Sequence, residues 1–229
     1  MKITCTVKQL QGAFASLAPI CPSRSPSPVL SHLRLSAKAG AFTLQATDLE
    51  VWAQRTWKQD KKDDGGTVDL LLPSASVAGI LREMSETSVQ IEAKEKGVEI
   101  HGDDTYVRLP QVPAVEYPAW PEFKAEGTFQ VDAKVLVNAL RRVEFSAARE
   151  KTRYALNGVL VALSGNTVEW VATDGRRLAL VRTESVSAPS GSGKAILGLK
   201  MAGLIERTFG EVEGPVSFSF DKRFCRVEG

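Results

Sequence analysis

The chain's densest run of chemically capable side chains is Thr173-Asp174-Gly175-Arg176-Arg177, set between the strand-like runs Glu169-Trp170-Val171-Ala172 and Leu178-Ala179-Leu180. Asp174-Gly175 predicts a two-residue type I′ hairpin turn, whose positive φ angles aspartate and glycine tolerate. The turn carries a hydroxyl before it and two guanidinium groups after it. Elsewhere the sequence offers little to catalysis. His32 and His101 are the only histidines, are unrelated by spacing, and build no Ser/His/Asp or Cys/His order. Gly191-Ser192-Gly193-Lys194 lacks the frame and following hydroxyl residue of a phosphate loop. Asp48, Asp69, Asp103, Asp104 and Asp174 are candidates for Mg²⁺, but turn and capping roles account for them more simply. No metal and no cofactor is expected.

The elements that position this turn are legible from an echo. Ala46-Thr47-Asp48 lies 126 residues (174 − 48) before Ala172-Thr173-Asp174. The match runs on without gaps: residues 29–35 fall on 155–161, and Phe42-Thr43-Leu44 on Val168-Glu169-Trp170. Period-two alternation through both copies predicts half-buried antiparallel strands. Four segments show helical spacing. They are Leu10, Ala13, Phe14, Leu17; Val77, Ile80, Leu81, Met84, opened by Pro73 and a capping Ser74; Leu136, Ala139, Leu140, Val143, with Asp132 as N-cap; and Met201, Leu204, Ile205, Thr208, ended by Gly210. The first and third lie 126 apart (136 − 10), the second and fourth 124 (201 − 77). The chain therefore reads as two repeats, each made of two similar halves, a helix followed by strands. Further strands are expected at residues 89–93, 98–101 and 106–109, with turns at Lys96-Gly97 and Gly102-Asp103. Residues 19–28, with Arg24, read as a surface loop, residues 58–66 as a mobile charged loop, and 110–121 as an extended link between domains 1–122 and 127–229. Residues 186–194 read as a flexible loop between strand and helix.

Apolar residues make up 43% and charged residues 24%, as in an ordinary globular protein. No run approaches the roughly 18 apolar residues of a membrane span, and the alternating N-terminus lacks the apolar block of a signal peptide. Cys5, Cys21 and Cys225 have no metal-like spacing and read as idle thiols of a reducing cytoplasm. The net charge of +2 does not announce a nucleic-acid binder. Its distribution says more. Across helical windows 8–18, 74–84, 133–145 and 199–208, seven basic residues (Lys8, Arg82, Lys134, Arg141, Arg142, Lys200, Arg207) meet three acidic ones (Glu83, Glu144, Glu206), an excess of +4. If the helices line one surface, that surface suits a polyanion held without reading sequence; a chance excess is the alternative.

Val171-Ala172-Thr173-Asp174-Gly175-Arg176-Arg177-Leu178-Ala179 resembles the signature of the bacterial sliding clamps, the beta subunits of DNA polymerase III, whose members usually carry histidine at the place of Arg176. Arg153-Tyr154-Ala155-Leu156-Asn157-Gly158-Val159, Ala46-Thr47-Asp48-Leu49-Glu50, and Arg108 to Val112 through Pro118 match in family order across the chain. The resemblance implies an α+β fold of tandem DNA-clamp (processivity-fold) domains, each with two helices on an inner face packed against antiparallel sheets. It implies a non-catalytic processivity factor in the bacterial cytoplasm, nucleoid-associated during replication. Such a factor forms a ring with copies of itself, encircles double-stranded DNA without regard to sequence, and tethers the DNA polymerase and clamp loader through a short apolar-and-glutamine peptide. Family DNA contacts map to Arg24, Arg153 and Tyr154, beside the helix residues Arg82, Lys134, Arg141, Arg142, Lys200 and Arg207. The peptide pocket maps to Leu156, Thr173, Gly175, Arg176, Arg177 and Leu178, and one side of the subunit seam to Val107 and Leu109. Gly175 admits a ligand backbone, Leu156 and Leu178 give an apolar floor, and arginine stems pack while their heads hydrogen-bond.

Clamps of this family have three domains and this sequence accounts for two, its second repeat ending before strands that would match residues 106–109. It is expected to be a fragment of a clamp; a short clamp that closes its ring with more subunits is the other reading. Two further functions compete: a decoy that binds clamp partners or subunits without forming a ring, and a metal-dependent nuclease built on the aspartates.

Overall fold

Each apolar-periodic run folds as its period requires. The computed structural model describes residues 2–38, 40–58, 67–95, 97–149 and 156–229, and divides into two units, Met1–Trp120 and Pro121–Gly229. The first half of unit 1 is β1 (Lys2–Thr6), α1 (Val7–Leu17), β2 (His32–Lys38), β3 (Ala41–Thr47) and β4 (Trp52–Lys58). The second is β5 (Val68–Pro73), α2 (Ser74–Glu83), β6 (Ser88–Lys94), β7 (Gly97–His101) and β8 (Tyr106–Leu109). Unit 2 repeats the plan with β9 (Gly127–Asp132), α3 (Ala133–Val143), β10 (Gly158–Ser164), β11 (Thr167–Thr173) and β12 (Leu178–Glu184), then β13 (Gly193–Gly198), α4 (Leu199–Phe209), β14 (Pro215–Phe220) and β15 (Cys225–Glu228). The 126-residue shift is kept at both ends of α1 and α3 (133 − 7, 143 − 17), and likewise for β2/β10, β3/β11 and β4/β12.

The first strand of each half leaves its own half. β1 pairs with β6 and β5 with β2, giving antiparallel sheets β1-β6-β7-β8 and β4-β3-β2-β5. In unit 2, β13 pairs with β10 and β9 with β14, giving β12-β11-β10-β13 and β15-β14-β9. Within each unit the two helices pack against each other, α1 on α2 and α3 on α4. In unit 2 the sheets meet on a core of Trp170, Phe129 and Phe218, with ring centroids 5.0–6.1 Å apart. Trp170 is fully buried, and its Nε1 donates to Thr183 Oγ1 at 2.9 Å. No described helix is long and apolar enough to cross a membrane. The three cysteines are free thiols, and burial pushes Cys225 up to about 11.

Several local expectations change. Asp132 caps α3 as read, Oδ1 accepting from Lys134 N at 2.9 Å. Ser74 caps nothing: it is the buried first residue of α2, and Pro73, at the end of β5, takes the N-cap place. Gly210 does end α4, but with φ −60°, not in the left-handed conformation typical of glycine caps. The stretch 186–194 does not run freely into a helix. Val186 N donates to Gln130 O at 2.8 Å, Ser190 and Thr128 exchange both main-chain bonds, and the unforeseen strand β13 intervenes before α4. Residues 110–121 are not a bare link either. Tyr117 is buried with Val29, Leu30 and Leu71, Val112 and Ala114 pack on that cluster, and Tyr117 Oη donates to Gln45 O at 3.3 Å. Of the predicted loop at 58–66 only Lys58, and of the Lys96-Gly97 turn only Gly97, lie among the described residues.

Thr183→Val keeps the shape of the side chain and removes the acceptor of the buried Trp170 N–H. It is expected to cost about 1–3 kcal/mol in urea-unfolding free energy, the penalty of an unsatisfied buried donor; an unchanged midpoint contradicts that accounting.

Candidate functional site

The Thr173–Arg177 segment folds differently from its sequence reading. Thr173 pairs with Leu178, so the connection is a four-residue loop, Asp174 to Arg177, and not a two-residue type I′ turn. The cause is the aspartate itself. Asp174 Oδ1 accepts from Arg176 N (2.9 Å) and Arg177 N (3.0 Å), turning the chain two residues beyond the glycine. These two main-chain donors, helped by Arg177, hold the Asp174 carboxyl below its usual range. Thr173 Oγ1 accepts from Gly175 N at 3.1 Å and donates to Arg177 O at 2.7 Å. Gly175 alone takes a left-handed φ, +87°.

Unit 1 builds the same loop from a different sequence. Thr47 pairs with Trp52; Asp48 Oδ1 accepts from Glu50 N (3.1 Å) and Val51 N (2.7 Å); Leu49 N donates to Thr47 Oγ1 (2.9 Å). Leu49 takes φ +76° in the place of Gly175, a conformation leucine adopts only at a cost. The shared Thr-Asp pair therefore sets the backbone, and the side chains around it differ.

In unit 2 those side chains are open. Gly175, Arg176, Arg177 and Leu178 are exposed, Leu178 to 64%, and Leu156 and Thr173 are half-buried. Arg177 is held rather than free: its Nε donates to Asp174 Oδ2 at 3.0 Å and its guanidinium lies 5.7 Å from the ring centroid of Phe145. Ala148 N donates to Leu156 O at 2.9 Å, which brings the segment after Phe145 alongside Leu156. Sequence reasoning missed Phe145. It lies two residues beyond Val143, the last position of the helical pattern, and had no periodic signal.

The remaining site residues scatter over surfaces. Arg24 is exposed in the loop after α1, and Arg82, Lys134, Arg141, Arg142, Lys200 and Arg207 are exposed on their helices. Lys134 Nζ is already met by Glu213 (2.7 Å) and Arg141 Nε by Glu206 Oε2 (3.0 Å). Arg82, Arg142 and Arg207 show no carboxylate partner among the described residues. Arg153 and Tyr154 lie outside the described residues. Val107 and Leu109 are on β8, an outer strand of its sheet, and Leu109 is buried in unit 1. Among the described residues no group of aspartates gathers as metal ligands: Asp48 and Asp174 close loops, and Asp69 is bridged by Arg34 at 2.8 Å. Among the described residues one group has ligand atoms within 4.8 Å of one another, Glu92, Glu99 and His101, but Lys94 (2.8 Å) and Arg108 (4.0 Å) already meet its carboxylates.

Beside α3, Glu144 faces Glu206. Burial, then the Glu206 charge and the hydrogen bond a protonated Glu144 gives Glu206, raise the Glu144 pKa against the pull of Arg149 and Arg141. Glu206 Oε1 is buried with no donor among the described residues.

Comparison with known proteins bears on this geometry. The family model described as the DNA polymerase III beta subunit, N-terminal domain, matches residues 1–121, and the one for the central domain matches 130–229. The beta sliding clamp of Chlamydia muridarum is 29% identical over 201 residues, covering 87% of this chain and 54% of the relative. That of Chlamydia pneumoniae is 26% identical over all 229 residues and 62% of its own length. The chain thus spans less than two-thirds of these relatives. A crystal structure of the DNA polymerase III subunit beta from Pseudomonas aeruginosa superposes with a TM-score of 0.92 at 23% identity, over the whole chain and 62% of that structure, a likeness of fold.

The raised Glu144 pKa means the folded state holds this proton more tightly than the unfolded chain. Its stabilising share is full below the ordinary carboxylate range and is lost as pH rises through the raised value. Glu144→Gln is therefore expected to raise the melting temperature at pH 7, with the gain vanishing below about pH 4, where the carboxyl is protonated in both states. Thermal melts across pH check this; a loss of stability at pH 7 contradicts it.

Proposed function

Because the chain belongs to the DNA polymerase III beta subunit family, we propose that it carries the DNA-facing helices and one partner-docking wall of a sliding clamp. In this reading it is a non-catalytic part of a ring in the bacterial cytoplasm, and its polymerase and clamp-loader partners dock by a short peptide at Leu156, Thr173, Gly175, Arg176, Arg177 and Leu178.

One observation carries the docking reading. The unit 1 counterparts of Leu156 and Leu178, 126 residues earlier, are Leu30 and Trp52. Both meet the chain's own extended segment: Leu30 shares a buried cluster with Tyr117, against which Val112 and Ala114 pack, and Trp52 meets Trp120 at 5.7 Å, edge to face. In unit 2 the same two positions lie half-buried and exposed. In unit 1 an extended peptide fills this apolar surface, which supports reading the same surface of unit 2 as one that takes an extended peptide. The wall adds what the strap site lacks: a glycine that lets a ligand backbone close in, and two arginines that offer donors to its carbonyls.

The DNA reading rests on a smaller set than the raw charge count. Arg82, Arg142 and Arg207, exposed on helix ends without described carboxylate partners, are the strongest phosphate contacts; Lys134 and Arg141 must share their charge with Glu213 and Glu206. Contacts of this kind are electrostatic, weak singly and indifferent to sequence.

Two measurements test the reading. Leu156→Ala with Leu178→Ala is expected to weaken binding of an apolar-and-glutamine docking peptide about tenfold or more in calorimetry, the loss of two apolar anchors; equal affinity removes this wall from the site. Arg142→Glu with Arg207→Glu is expected to lower duplex-DNA affinity and to flatten the log K against log salt slope by about one unit per lost phosphate contact; an unchanged slope assigns those contacts elsewhere.

A further inference from the structure

Arg55 lies in the middle of β4, an outer strand of its sheet, opposite the buried Leu44. That register puts its side chain on the helix side of the sheet. The guanidinium crosses to α1, where Nη1 donates to Gly12 O at 3.0 Å. It lies over a helix position without a side chain: a β-carbon on Gly12 would touch Nη1 at 3.6 Å and Cζ at 4.0 Å. Gly12 stands with Lys8 and Ala15, at i, i+4 and i+7, on the stripe of α1 opposite the buried Leu10, Phe14 and Leu17. Lys8, Ala15 and Arg55 are exposed, and Arg55 meets no carboxylate among the described residues. The internal repeat gives this arginine a meaning. At the 126-residue shift Lys134, Arg141 and Arg142 of α3 fall on Lys8, Ala15 and Ser16, so α1 carries one cation where α3 carries three. Arg55 falls on Val181 and Gly12 on Asn138, so unit 2 has no such arginine on its strand. The charge that α1 lacks is supplied from β4.

We propose that Arg55 is a phosphate-contacting residue of the α1 surface, seated on Gly12 by one N–H and offering its other donors to the backbone of a DNA duplex. This rests on the DNA reading above and adds to it a residue outside the helices. A guanidinium stays charged at any working pH and can bridge two phosphate oxygens in its plane. The bond to Gly12 already orders the long side chain, so little freedom is lost on contact. The contact fixes the duplex against α1 without reading its sequence.

The test titrates the full chain against a short fluorescently labelled DNA duplex across a salt series of about 50 to 200 mM. Arg55→Gln is expected to weaken binding about three- to tenfold and to flatten the log K against log salt slope by about one unit; Arg55→Lys, which keeps the charge, is expected to hold the wild-type slope. Adding Ala15→Arg to Arg55→Gln puts a cation where α3 has Arg141, on an exposed position, and is expected to restore the slope. A merely structural role for Arg55 would give the opposite pattern: Arg55→Gln and Arg55→Lys would both lower the melting temperature, and neither would move the slope. If Arg142→Glu with Arg207→Glu flattens the slope and Arg55→Gln does not, the Arg55 contact is overturned and the DNA reading stands. If the wild-type chain shows no salt-dependent binding, the DNA reading falls, and the Arg55 contact with it.

Discussion

The exchange of first strands between half-repeats is the constraint on which the rest of this structure depends. A helix-and-three-strand half would leave a sheet edge open and one helix face uncovered. Lending β1 to β6 and β5 to β2, and β9 to β14 and β13 to β10, knits two halves into one unit and forces their helices side by side. The long-range pairing fixes register on both faces of each sheet. It thereby fixes where the β3–β4 and β11–β12 loops emerge, and the shared Thr-Asp pair then turns both loops alike despite the change from Leu49 to Gly175.

Upon that shared frame the two units differ in the side chains around the same loop. In unit 1 the sheet face is closed by Val112, Ala114, Tyr117 and Trp120, and the loop apex carries Leu49 in a conformation that glycine would hold more easily. In unit 2 the loop apex is the glycine that lets another backbone approach. The peptide that closes the unit 1 face displays how the same face of unit 2 can be filled.

Much of this was legible in the sequence, and the failures share a cause. The 126-residue shift, the four helices, the Asp132 cap and most strands follow from apolar period and turn chemistry, which are local. The Asp174 loop was misread because Asp-Gly favours a two-residue turn in isolation, whereas Asp174 Oδ1 reaches donors two and three residues on and widens it. Ser74 looked like a cap, but the strand exchange drives β5 right up to α2, and Pro73 takes the place. β13 was lost inside a glycine- and serine-rich stretch whose pairing to β10 is wholly long-range. The helix charge excess was countable in advance, but its partial cancellation by Glu206 and Glu213 depends on side chains brought in by the fold. Phe145 had no periodic signature at all; only the cation above it reveals its place.

The central claim is that the open Leu156–Leu178 wall of unit 2 is the docking surface and that its strapped counterpart in unit 1 is not. Amide hydrogen exchange of the full chain, with and without a saturating apolar-and-glutamine docking peptide, tests it most directly. The account predicts new protection at residues 156–160 and 173–180 and none at 30–35 and 47–54. Protection in the unit 1 segments, or no change in either, would contradict it.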